Sequence, residues 1–147
     1  MTHVRQQIRE YVTALVTGLT TTGVNVFASR VYNLQETNLP ALLIYSNEES
    51  VEYATMSRPQ KQTRTLELVV EGIAKAADNL DNVLDTINAE VETAIAADPA
   101  FGGLVKSAGI IEINIELSGE GRQPTGRITM VFSVNYWTIE TNPTVTA

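Results

Sequence analysis

Between Gly126 and Glu140 the sequence GRITMVFSVNYWTIE alternates with period two, the pattern of a strand with one face on a core. Ile128, Met130, Phe132, Val134 and Tyr136 form the inward side. The opposite side carries Thr129, Val131, Ser133, Asn135 and Trp137, so a valine and a large aromatic stand where a lone domain shows charge to water. Elsewhere the period changes. Val4, Ile8, Tyr11, Val12, Leu15, Val16 and Leu19 recur at three and four, predicting a helix over Thr2–Leu19 with Thr2 as N-cap and Gly18 and the next threonines as its end. A second stripe, Leu80, Val83, Leu84, Ile87, Val91, Ala94 and Ile95, predicts a helix closed by Asp98-Pro99. Strands are predicted in VNVFASR, in ALLIYS after Pro40, in TRTLELVVEGIA and in GIIEINIEL, the last with Ile111, Ile113, Ile115 and Leu117 facing in.

VYNLQETN reads as a connection, SGEGRQPTG as a turn that makes the last two strands an antiparallel hairpin, and TNPTVTA as a loose end. The order helix, three strands, helix, two strands specifies an α+β two-layer sandwich: about five strands in a largely antiparallel or mixed sheet, with both helices on one face. One domain spans residues 1–140 and a flexible tail spans 141–147. No helix covers the second sheet face in this plan, so Val131 and Trp137 either stay wet or meet another chain. One connection is too long to be merely a connection. NEESVEYATMSRPQKQ begins acidic at Glu48, Glu49 and Glu52 and ends basic at Arg58 and Lys61, with Arg64 just beyond. It is either a binding loop or two strand ends forming a protruding hairpin.

A chain of 147 residues fits one domain and buries roughly 70% of its unfolded surface. Ten basic against 17 acidic residues give a net charge of −7, which argues against an electrostatic grip on nucleic acid or anionic membrane but is compatible with DNA passing a repelling wall. There is no cysteine, hence no disulfide, thiolate nucleophile or cysteine-held metal. MTHVRQQIREYV lacks the apolar core of a signal peptide, and no run of about 18 apolar residues occurs, so no membrane partner is expected.

Chemistry finds little support. His3, the only histidine, lies where the chain is expected to fray, and GEGRQPTG lacks both the Lys-Ser/Thr of a phosphate loop and the context of a dinucleotide fingerprint. Asp78, Asp81 and Asp85 share a helical edge that helix-dipole preference explains without a metal. Glu48, Glu49 and Glu52 could pose as a catalytic pair, but an exposed acidic loop accounts for them. No enzyme, cofactor or metal is expected. Glu48, Glu49 and Glu52 at one end of the loop and Arg58, Lys61 and Arg64 at the other could mate between neighbouring copies in a ring, and Trp137 is either a partly buried structural residue or an interface anchor.

VRQQIREYVTALV, SRVYNLQETNLPALLIYSNEESVEY, LELVVEGIAKAADNLDNVLDTINAEVETAI and ITMVFSVNYWT, together spanning residues 4–138, resemble the tail terminator proteins of long-tailed phages with non-contractile tails. SRPQKQTR and TNPTVTA match no signature of that family. The resemblance implies a structural, non-enzymatic virion subunit at the head-proximal end of the tail, assembled in the host cytoplasm. It implies a homohexameric ring on the last ring of the major tail tube protein, which stops tube polymerisation and offers its other face to the head-completion or connector protein. DNA would pass through the lumen without specific binding. The rival readings are another neck protein, either tail-completion or head-closure, and, more remotely, a domain holding a small ligand against Trp137 and Tyr136.

Overall fold

The computed structural model describes residues 2–28, 39–76, 78–118 and 124–147. Helix α1 spans Val4–Val16, strand β1 Val26–Phe27, β2 Ala41–Tyr53, β3 Lys61–Lys75, helix α2 Leu80–Ala96, β4 Ser107–Ser118, β5 Thr125–Ile139 and β6 Asn142–Thr146. The fold is the α+β arrangement expected: two helices on a mixed sheet ordered β1-β2-β3-β5-β4, with β6 paired to β5. All pairings are antiparallel except β1 with β2.

Each helix buries the stripe its spacing predicts. Val4, Ile8, Val12 and Val16 of α1, which lies mainly against β2, and Leu80, Leu84, Ile87, Val91 and Ile95 of α2, which lies over β3 and β5, share one core with Leu42, Ile44, Leu66, Leu68, Val70, Ile128, Met130, Phe132, Val134 and Tyr136, all buried. Two strand glycines set the depth of α2. A Cβ on Gly72 would lie 2.9 Å from Ile87 Cγ2, and one on Gly126 would lie 2.8 Å from Leu84 Cδ1. The helix is seated where the strands have no side chains.

The cap of α1 is His3 rather than Thr2: its Nδ1 accepts a hydrogen bond from the Arg5 amide at 3.0 Å. The helix stops before Gly18, which has a φ of 89°. Residues 47–62 take the hairpin form of the two alternatives: β2 and β3 run on to Tyr53 and from Lys61, leaving a tip at 54–60.

Several expectations are corrected. The first strand is only Val26–Phe27; the connection at 31–38 and the middle of the turn at 119–123 lie outside the described residues. The predicted flexible tail contains β6: Thr138 pairs with Thr146, and the Ala147 amide donates to the Trp137 carbonyl at 2.9 Å. A polar heptapeptide gives no apolar signal, and here the order comes from backbone pairing and from Gln7 Nε2 donating to the Thr144 carbonyl at 2.9 Å. Ile111, Ile113, Ile115 and Leu117 do not face a closed core; they are 65%, 45%, 49% and 53% exposed. β4 is an edge strand, and α2 packs chiefly over β3 and β5, meeting β4 near its start at Ala108–Ile110. A register shift between Ile110 and Glu112 also turns Ile111 away from its neighbours' side.

Candidate functional site

β2 carries the acidic group, which the sequence alone assigns to an exposed loop. Its register slips between Ser46 and Glu49, so Glu49 pairs with Leu66 and points to the helix side of the sheet. There its carboxylate accepts from Arg5 Nη1 at 2.6 Å, from Arg64 Nη1 at 2.9 Å and from the Tyr136 hydroxyl. The side chains of Glu49 and Arg64 are 7% and 12% exposed, and Arg5 closes the cluster from α1. Arg64 Nη2 and Nε also donate to Gln62 and to Thr138. Burial, followed by the bond to Glu49, holds the Tyr136 hydroxyl far above its ordinary pKa. Glu49 is thus a structural counter-ion in a satisfied network rather than part of an exposed acidic loop.

The basic residues are also engaged within the chain. Arg58 at the tip pairs with Glu140 at 3.0 Å, and Glu140 Oε1 also accepts from the Gln60 amide at 2.8 Å. Lys61 Nζ lies 4.4 Å and Lys106 Nζ 5.1 Å from the centre of the Trp137 ring, which is half-buried under their stems. The expected mating of Arg58, Lys61 and Arg64 with a neighbour's acids therefore competes with partners already in place. Val131 is covered by its own chain: it is 7% exposed and lies opposite Val69, itself buried. Near it Glu71 accepts from Tyr45 at 3.1 Å and faces Arg127 at 3.7 Å, closing this end of the helix-free face with a polar lid. Trp137 and Tyr136 lie on opposite sides of β5, so they cannot hold one ligand between them.

Glu48 and Glu52 remain exposed, as do Glu112 and Glu116 on β4. Glu48 shares with Glu67 and Ile111 a shallow cleft of about 170 Å³ on the helix-free face. Among the described residues no group of His, Asp or Glu could hold a metal ion, and no helix is long and apolar enough to cross a membrane. His3 is half-buried beside Arg5 and Arg64 rather than solvated; burial first, then these cations, lower its pKa from the usual 6.5. The Arg5–Glu49 and Glu49–Tyr136 links were not legible in the sequence, since the only signal is a tyrosine hydroxyl at the end of an apolar row.

Residues 3–136 match the phage minor tail protein U family. The chain belongs to that family. It is accordingly a structural tail protein of a phage virion. No curated protein matches the chain. A chain in a solved virion of a native gene transfer agent particle is similar to this minor tail protein at 17% identity over 90% of both chains, with a TM-score of 0.40, too low for any argument to rest on it.

Proposed function

We propose that this minor tail protein is the tail terminator: a homohexameric ring that caps the tail tube, stops its polymerisation and presents its far face to the head-completion or connector protein. The observation that supports the reading best is the unequal finish of the two sheet faces. The helix layer shields one. The other is helix-free and exposes Glu48, Glu52, Glu112 and Glu116, which suits the wall of a channel that DNA must cross without sticking. Six copies, each at −7, make the assembly strongly negative, so phosphates meet net repulsion even though Arg127 and Lys106 stand on the same face. The tip at residues 54–60, with Met56 almost fully exposed, projects beyond the sheet and suits an axial contact with tube or connector. A satisfied Glu49 and a capping His3 offer no poised acid, base or nucleophile, in keeping with a role that is not enzymatic.

Electron microscopy of tube protein polymerising with and without the chain tests the reading. A terminator shortens tubes in proportion to dose and adds one layer at a single end. Tubes of unchanged length with bare ends would contradict it, and a ring that binds the connector but not the tube would favour a head-closure subunit instead.

A further inference from the structure

We infer that copies of this chain join edge to edge, the outer edge of β4 in one copy adding to the outer edge of β2 in the next; this rests on the ring reading above. Among the described residues β4 pairs only with β5, and the far end of β2, Ser50 to Tyr53, pairs only with β3, so these two edges carry the joint. Through the order β2-β3-β5-β4, with every step antiparallel, β2 and β4 run in opposite directions. Side-by-side repetition therefore brings β4 against the next β2 as an antiparallel pair, the arrangement that a head-to-tail ring interface needs.

The side chains agree. Ile113, Ile115 and Leu117 stand half-exposed on the helix side of β4, opposite Met130, Ile128 and Gly126. Val51 and Tyr53, 41% and 58% exposed, stand on the same side of β2. Long apolar edges are normally blunted by lysine or proline, and β4 has neither. Charge selects the register. With Val51 opposite Ile115, Tyr53 meets Ile113, Glu52 meets Asn114 and Glu116 meets Ser50, so no acid faces an acid. Shifting by two residues either way sets Glu52 against Glu112 or Glu116, directly opposed like charges that destabilise a sheet. One strand pairing with a few half-exposed apolar side chains is a small contact beside the roughly 800 Å² per partner of a stable pair. Each joint is weak alone and is reinforced when the ring closes.

The absence of native cysteine allows a direct test. Cross-strand neighbours lie about 4.5–5.5 Å apart, within disulfide reach, whereas within one copy three strand spacings of roughly 4.8 Å separate the two edges. A chain carrying Val51→Cys and Ile115→Cys, oxidised mildly with tube subunits present, should give a ladder of covalent oligomers on a non-reducing gel, while each single variant stays at chain mass. Ile115→Cys alone crosslinking as well as the double variant would show β4 meeting β4 and overturn the inference. Efficient crosslinking of Val51→Cys with Ile113→Cys or Leu117→Cys instead would overturn the register. If the unmodified protein forms rings by native mass spectrometry but the double variant does not crosslink, the edge inference fails alone. If the unmodified protein stays monomeric beside tube subunits, the ring reading fails and takes this inference with it.

Discussion

Glu49 is the residue whose role departs most from its sequence context. It sits in an acidic run, yet its carboxylate is shared by Arg5, Arg64 and Tyr136. Glu49→Gln leaves two cations, one of them well buried, without their counter-charge, and should lower unfolding free energy by about 2–4 kcal/mol in urea titrations. Arg58→Ala at the exposed tip should cost less than about 1 kcal/mol in the same measurement, because its pair with Glu140 is solvated on the arginine side. His3 supplies a pH test. Its neutral Nδ1 caps α1, and its folded pKa lies below 6.5, so the cap's contribution is complete above pH 6.5 and is lost as pH falls from there through the folded value. As the single histidine, its ring-proton NMR signal is unambiguous; the titration midpoint should fall below 6.5 and return towards it on Arg5→Ala. At this scale the sequence was legible where side chains repeat with a period, as in Ile128 to Tyr136, and illegible where a one-residue slip in β2 redirects one glutamate.

Elements were mostly legible, and the misses share a cause. Helix stripes and the inward rows of β3 and β5 are read correctly because their apolar residues are buried by neighbours in the same chain. β4 carries an equally clean alternation, yet its apolar row stays exposed because α2 lies chiefly over β3 and β5. Alternation reports which residues seek burial, not whether this chain provides it. Conversely β6 has no pattern, since its order comes from main-chain pairing. The seat of α2 offers a test here: Gly72→Val must push Ile87 and Ile128 apart, and should destabilise by about 1–3 kcal/mol or more, while Gly109→Val, whose Cβ meets nothing within 4 Å, should be nearly neutral by thermal melting.

For the whole molecule, the two unlike open edges and the helix-free acidic face are properties that one copy leaves unfinished. A head-to-tail circle uses both edges and turns the acids towards a channel. Association should therefore strengthen with added salt, as the like charges of neighbouring copies are screened, rather than weaken as it would if Glu48 and Glu52 were mating with a neighbour's Arg58 and Lys61. Sedimentation velocity over a salt series separates the two. The most direct measurement is native mass spectrometry of the purified 16.0 kDa chain, alone and with tail tube subunits. The account predicts a single closed assembly of six chains, populated at high concentration or on tube ends; a species that stays at the mass of one chain at every concentration, tubes included, would contradict it.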